Sequence, residues 1–280
     1  MGRIISILNH KGGVGKTTLT VNLAHALSRL GHSVMVIDNS SQCNATNILL
    51  PQGEDAGLTL YNIFDARSER QAIGRFIYPT KYANVYCIPN HPDTGSLEAR
   101  IFLSKSHAAS LLLFKDLMRN YAIGQYDYTL IDNSPSLGAF VLCSLHMSDN
   151  VILPVKAGSG FSLDGVLNVV RVIRDLNAEH ELQPLGTRIV VNQVDRRTAM
   201  SRYTFERIGQ HLGRDILFRT AIPSNAVFER AEAVRESILK YKGSSPGARA
   251  FRDLAQEVQQ AFPSQTGQEA VELESGTRAS

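Results

Sequence analysis

The chain has 280 residues and 30.8 kDa, with 43% hydrophobic side chains and a formal net charge of +3, which suits one large apolar core and excludes a disordered or fibrous protein. Its longest apolar runs, such as Arg3–Asn9 and Val151–Val155, fall far short of the ~20 residues of a bilayer span, and no export signal is present, so a cytosolic chain is expected. Cys43, Cys87 and Cys143 are far apart and lack CxxC pairing, which signals buried free thiols and neither a disulfide framework nor a zinc knuckle.

In chain order, the first element is an apolar strand at Arg3–Leu8, followed by His10-Lys11-Gly12-Gly13-Val14-Gly15-Lys16-Thr17-Thr18. Leu19, Leu23, Ala26, Leu27 and Leu30 then recur at helical spacing, and Gly31 supplies a helix stop. A strand at Ser33–Ile37 completes one βαβ unit. Further strands are predicted at Val85–Ile88, Tyr128–Ile131, Asn150–Pro154 and Thr187–Asn192. Helices are predicted near Ser104–Tyr121, Leu163–Ala178, Thr198–Leu212 and Gly247–Ala261, the last with Phe251, Leu254, Ala255 and Val258 on one face. This alternation predicts an α/β fold, a predominantly parallel twisted sheet with helices on both faces, and the glycine-rich loop with Lys16-Thr17 between the first strand and helix makes it of the P-loop NTPase type. No linker interrupts residues 1–261, which are expected to form a single nucleotide-binding domain. Residues 262–280 are polar and acidic and are expected to be a disordered tail.

The loop between the first strand and helix carries the strongest chemical signal. Its glycines allow a tight turn whose N–H groups point at phosphate oxygens, and the helix N-terminus adds partial positive charge. Lys16 would reach the β- and γ-phosphates and the Thr17 hydroxyl would ligate Mg²⁺. His10 stands where the usual G-x-x-x-x-G-K-[ST] pattern has glycine, and Lys11 adds a second lysine. A dinucleotide fingerprint would need glycine or alanine at Thr18 and gives no reason for the lysine-threonine pair. A nucleoside triphosphate is therefore the expected ligand.

Charge is unevenly spread. Residues 188–252 carry 13 Lys and Arg, eleven of them arginine, against 6 acids, whereas residues 1–187 carry 15 of each sign and residues 253–280 carry 1 base and 5 acids. A clustered guanidinium surface is the footprint of a polyanion partner, with a solvated helix face as the alternative. Arg188, Arg196, Arg197, Arg202, Arg219, Lys240, Lys242 and Arg249 are the candidate phosphate contacts, several of them expected on one face.

Lys11–Thr18 resembles the K-G-G-x-G-K-[ST]-T loop of the deviant Walker A ATPases, the superfamily of ParA, Soj and MinD. Tyr126–Gly138 is similar to that family's second aspartate motif, and Val151–Val155 to the strand after it. Val191–Asp195 and Thr220–Pro223 look like its adenine-side segments, so that the likeness covers about 250 residues. The resemblance is to the ParA/Soj partition branch: MinD proteins attach to membranes through a basic amphipathic C-terminal helix, and this chain ends in an acidic, small-residue tail.

The resemblance implies an ATP-bound homodimer that binds DNA without sequence preference, a nucleoid-associated location, and a ParB-like or cargo-adaptor partner that stimulates hydrolysis to ADP. It implies no membrane attachment. Carried over residue by residue, Lys11 would cross the dimer interface to the other subunit's phosphates, as an arginine finger does. Gly12, Gly13, Val14, Gly15, Lys16, Thr17 and Thr18 would hold the phosphates. Asp132 would hold the Mg²⁺ shell or orient Thr17, Asn192 would bond the adenine edge and Pro223 would pack near the ring.

One segment departs from the family. Where it reads D-x-D-P-Q-x-N, this chain has Asp38-Asn39-Ser40-Ser41-Gln42-Cys43-Asn44. Ser40 replaces the acid that positions or activates the attacking water, and a hydroxyl cannot accept that proton as a carboxylate does, a loss on the order of 10²–10⁴ in rate. ATPase activity is expected to be slow or partner-dependent. Asp38 taking over with a shifted loop, and a nucleotide-gated scaffold that never hydrolyses, are the alternatives. A small-molecule kinase or ligase, or an electron carrier on the same scaffold, lacks its signature here. So do an HExxH metal site and a G-x-S-x-G elbow. The Gly158-Ser159-Gly160 stretch is expected to be a mobile loop near the dimer face or an ordinary connector.

Overall fold

A computed structural model of the chain describes residues 1–54, 56–65, 72–103, 118–158, 161–179, 186–195 and 197–264. The strands are β1 (Arg3–Ile7), β2 (Val34–Asn39), β3 (Tyr78–Pro79), β4 (Val85–Ile88), β5 (Tyr128–Asn133), β6 (Asn150–Lys156) and β7 (Gly186–Asn192). The helices are α1 (Lys16–Arg29), α2 (Asn44–Leu49), α3 (Leu60–Phe64), α4 (Thr94–Leu103), α5 (118–125), α6 (Ala139–Met147), α7 (Phe161–Glu179), α8 (Ala199–Leu212), α9 (Val227–Ala233), α10 (Ile238–Tyr241) and α11 (Pro246–Ala261).

The strands form one sheet in the order β3-β4-β2-β5-β1-β6-β7. Every neighbouring pair is parallel except β3 and β4, which are antiparallel. All six predicted strands are present, and the α/β class is as expected. The two-residue edge strand β3 has no sequence signal of its own. Because the side chains of a strand alternate between faces, Ile5, Val34 and Val36 pack on one side with Leu19, Leu23 and Leu27 of α1 and Phe251, Leu254 and Val258 of α11. Ile4, Met35, Ile37 and Ile131 face the other side, against Leu97 of α4, Met118 of α5 and Phe140 of α6. A third cluster joins Val151, Leu153 and Val155 of β6 to Val166 and Val169 of α7 and Ile208 of α8. β2 and β5 are buried along their whole length, as strands covered on both faces must be.

Glycines bracket α1. Gly15, at φ 88°, is its N-cap, and Gly31, at φ 96°, follows its last turn. The Gly31 and His32 N–H groups donate to the Ser28 and Leu27 carbonyls, closing a Schellman motif in which a left-handed residue is required. Leu30, read as part of the apolar stripe, is instead 39% exposed at this cap, because the helix ends one residue before it. α11 begins with Ser245, whose hydroxyl accepts from the Ala248 N–H, and with Pro246 at the first helical position. Cys43, Cys87 and Cys143 are buried thiols outside any disulfide. The predicted helices at Leu163–Ala178 and Gly247–Ala261 lie within α7 and α11, and that at Thr198–Leu212 is α8 with Thr198 as its N-cap. Of the helix predicted at Ser104–Tyr121, residues 118–121 lie in α5 and the rest outside the described residues, as do 159–160 and the tail beyond 264. No described helix is long and apolar enough to cross a membrane.

Candidate phosphate-loop site

The C-terminal ends of β1, β2 and β5 lie side by side, which is where open parallel sheets place ligands. β1 runs into the glycine-rich loop, β2 ends at Asp38 and Asn39, and β5 ends at Asp132 and Asn133. The β2–β5 register sets Asp38 directly beside Asp132.

The loop is held from below by a residue that the sequence motif does not include. Asn9, fully buried two residues past β1, accepts the Lys11 N–H at 2.9 Å and donates to the Pro154 carbonyl of β6 at 2.7 Å. The hint available in the sequence is an amide side chain just past an otherwise apolar strand. Gly13 and Gly15 both have positive φ, so the chain turns sharply where close backbone approach is needed. Lys16, 8% exposed, donates through Nζ to the carbonyls of Asn9 at 3.1 Å and Lys11 at 3.0 Å. Burial lowers its pKa and the nearby Asp132 carboxylate raises it in partial compensation.

Thr17 donates its hydroxyl to Asp132 Oδ2 at 2.7 Å, and Thr20, one turn on, donates to Oδ1 at 3.3 Å. Asp132 is 1% exposed; burial and the Asp38 charge raise its pKa above the ordinary carboxylate range. Asp38 is 0% exposed and is also raised by burial, against the pull of its hydrogen bonds. Those bonds come from the Thr46 N–H (2.8 Å) and hydroxyl (2.7 Å) at the start of α2 and from the Ser40 N–H at 3.2 Å. Thr46 Oγ1 in turn accepts the Asn90 N–H at 3.0 Å, so Asp38 is latched to α2 and to the end of β4. Among the described residues the buried Ser40 hydroxyl accepts a long contact from the Gln42 N–H at 3.4 Å.

Hard cations favour such oxygens, and two carboxylates forced together in a dry site call for positive charge. The Thr17–Asp132 pair thus fits Mg²⁺ chemically, beside an incoming phosphate. Among the described residues no group of three or more His, Cys, Asp or Glu could hold a metal alone.

From the other side, Asn192 at the end of β7 donates through Nδ2 to the Val14 carbonyl at 2.8 Å and accepts the Gln193 N–H at 2.8 Å, while Gln193 Nε2 donates to Gly13 O at 3.2 Å. A Cβ at Gly15 would lie 2.3 Å from Asn192 Nδ2, so Gly15 and Asn192 are packed against one another. Asn192 is thus a strut for the loop as well as a candidate reader of a base. Next to it opens a cavity of about 350 Å³ lined by Gly15, Thr18, Asn192, Pro223, Phe228 and Glu232, among others. It unites the loop with both residues expected on the adenine side.

A second, open cleft of about 780 Å³ adjoins it across Pro223 and Ser224. Arg197, Arg219 and Arg249 line it together with Asp195, Asp253 and Glu257. Arg197 is held bidentately by Asp195, and Glu257 accepts the N–H groups of Arg219 and Thr220. The other basic candidates lie elsewhere: Arg188 half-buried on β7, Arg202 on α8, and Lys240 and Lys242 at α10. Arg196 is outside the described residues.

A family model described as an AAA domain matches residues 2–184. The sporulation initiation inhibitor protein Soj of Bacillus subtilis is 31% identical over 262 residues, which cover 92% of this chain and 98% of that protein. The chromosome-partitioning ATPase Soj of Thermus thermophilus is 31% identical over 258 residues, or 91% and 95% of the two chains. Among solved structures, the septum site-determining protein MinD of Pyrococcus horikoshii, complexed with Mg-ADP, matches with a TM-score of 0.70 at 26% identity over 92% of this chain and 96% of its own.

Proposed function

The chain belongs to the ParA/Soj/MinD-type partition ATPases, and from that premise we propose that it is an ATP-dependent dimerising switch that binds DNA without sequence preference and positions or segregates DNA or another cargo. The observation that carries this reading is the convergence of Lys16, Thr17 and Asp132 beneath a glycine-rich loop, beside a cavity bounded by Asn192 and Pro223. Gly12, Gly13, Val14 and Gly15 cradle the phosphates with backbone N–H groups, Thr18 extends that cradle at the first turn of α1, and Lys16 exchanges its carbonyl partners for phosphate oxygens. Thr17 and Asp132 hold Mg²⁺, which neutralises phosphate charge when bound.

Lys11, at the outer rim of the loop, reaches the phosphates of the opposite protomer, which couples nucleotide binding to the homodimer. Asn192 and Pro223 flank the adenine. The dimer binds DNA through basic residues of the 188–252 stretch, associates with the nucleoid from the cytoplasm, and is released when a ParB-like or cargo-adaptor protein stimulates hydrolysis to ADP.

Hydrolysis without that partner is slow. Ser40 offers the attacking water a hydroxyl and no base, and the Asp38 carboxylate is occupied by Thr46 and Ser40 N–H groups deep under α2. This is also what favours the second reading, a nucleotide-gated scaffold without turnover. Measuring molecular mass in solution with ADP, ATP and no nucleotide, together with phosphate release with and without DNA, tests both. The expected result is a doubling of mass with ATP only, abolished by Lys16→Gln, with turnover on the order of 10²–10⁴-fold below that of a site with a carboxylate base. An unchanged mass with Mg-ATP overturns the switch, and brisk turnover unaffected by Asp38→Asn overturns the assignment of slow hydrolysis to this loop.

A further inference from the structure

We propose that Glu232 is a specificity-determining residue that accepts a hydrogen bond from a ribose hydroxyl and so selects ribonucleoside over deoxyribonucleoside triphosphates; this rests on the nucleotide reading above. The 350 Å³ cavity runs from Gly15 and Thr18 at the phosphate loop to Ile222, Pro223 and Ser224 on the far wall. The sugar, being the covalent link between phosphates and base, must lie between those ends. Two carboxylates line the cavity, Glu229 and Glu232, three residues apart on α9 and therefore on one helix face.

Of the two, Glu232 also borders the adjoining cleft of Thr18, Val21 and Asn22, which sets it toward the phosphate end. Among the described residues, no lysine or arginine lines the cavity and neither glutamate forms an ion pair. A bare carboxylate close to a triphosphate is repelled unless it faces hydrogen-bond donors. On that part of a nucleotide the donors are the 2′- and 3′-hydroxyls. Of the other polar side chains on the wall, the Asn192 and Gln193 amides donate to the loop carbonyls of Val14 and Gly13, and Asn225 Oδ1 accepts the Val227 N–H.

α9 presents Glu232 from a fixed base. Ala231 beside it is buried, and Phe228 stacks edge-on to Phe251 of α11 at 6.0 Å. Gly247 has no side chain to obstruct that ring, and a Cβ there would lie 2.5 Å from it.

The test is calorimetric binding of ATP, 2′-deoxy-ATP and 3′-deoxy-ATP with Mg²⁺ to the full chain and to Glu232→Gln and Glu232→Ala. A hydrogen bond to a charged acceptor implies that the wild-type protein favours ATP over at least one deoxy analogue by on the order of tenfold, that Glu232→Ala loses that preference through weaker ATP binding, and that Glu232→Gln, whose amide oxygen is a weaker acceptor, keeps only part of it. An unchanged ATP-to-deoxy-ATP ratio overturns the assignment. So does an equal tightening of all three nucleotides, which would mean that the carboxylate acts only by repelling phosphate. If the wild-type protein binds none of them, the nucleotide reading itself falls, an outcome distinct from binding without sugar preference.

Discussion

Asp38 and Asp132 face each other across neighbouring strands with almost no solvent contact, and this pair dominates the electrostatics of the site. Asp132 and Thr17 are legible in the sequence because a motif fixes their spacing. That Asp38 is tied to Thr46 is not, since the bond depends on where α2 begins, and α2 begins after Cys43 at a left-handed φ of 55°. Burial raises both carboxyl pKa values, and the Asp38 charge raises that of Asp132 further. The folded chain therefore keeps protons that the unfolded chain has released, in the window between the ordinary carboxylate range and the raised values. Stability from this pair is greatest at the acid end of that window and falls as pH rises through it. Asp132→Asn removes one of the charges and relieves the other. Relative to wild type, the variant should gain about 1–3 kcal/mol between pH 4.5 and 7.5, read from urea midpoints at the two pH values. Parallel pH curves for the two proteins would count against a strained carboxylate pair. The same substitution should weaken Mg-ATP binding, so the acid is retained at a cost in stability.

At the scale of elements, α1 links the phosphate loop to the C-terminal third of the chain. Asn22, buried in its second turn, donates to the Thr18 carbonyl at 2.7 Å and accepts the Ile238 N–H of α10 at 2.7 Å. One turn later His25 stacks on Tyr82 at 4.3 Å, and its Nδ1 lies 2.6 Å from Ser237 Oγ, the N-cap of α10. Burial, with Arg29 and Lys240 nearby, pushes the His25 pKa down to about 4, so the ring is neutral around pH 7. Asn22→Ala leaves the Ile238 N–H buried without its acceptor, which should cost about 1–3 kcal/mol. Chemical denaturation would give the loss, and faster amide exchange at Ile238 would localise it; exchange as slow as in the wild type would exclude this contact as the tie. Long amphipathic helices and Val/Ile-rich strands were readable because several turns or a whole strand repeat one pattern. α2, α3, α9 and α10 span two turns or fewer and carry no such repeat. α6 (AFVLCSLHM) is apolar on nearly every side, which hides its period because both faces are covered. Contacts such as Asn22 with Ile238 join residues 216 apart in sequence and leave no local trace.

For the molecule as a whole, the arginine excess after residue 188 is visible in the sequence, but its arrangement is set by strand order, which alternation of strands and helices leaves open. Only folding shows that Arg197 from the loop after β7, Arg219 from the segment after the bridge at Leu217 and Arg249 from α11 meet at one cleft. They are not equivalent there. Arg197 is already clamped by Asp195, so a phosphate must compete for it, whereas Arg219 is 84% exposed and only 4.0 Å from Glu257 through Nε. Arg219 and Arg249 should therefore carry more of the affinity for DNA than Arg197. If each neutralises about one phosphate, the double substitution Arg219→Glu/Arg249→Glu lowers the slope of log affinity against log salt by about 2. The loss should be equal for unrelated DNA sequences, because phosphate contacts carry no base information. ATP-dependent mass doubling should persist in the double variant, since the phosphate loop lies on the other side of the Pro223–Ser224 wall. Fluorescence anisotropy with two unrelated duplexes across a salt series measures the slope, and a slope equal to that of the wild-type protein would remove this cleft from the DNA-binding surface.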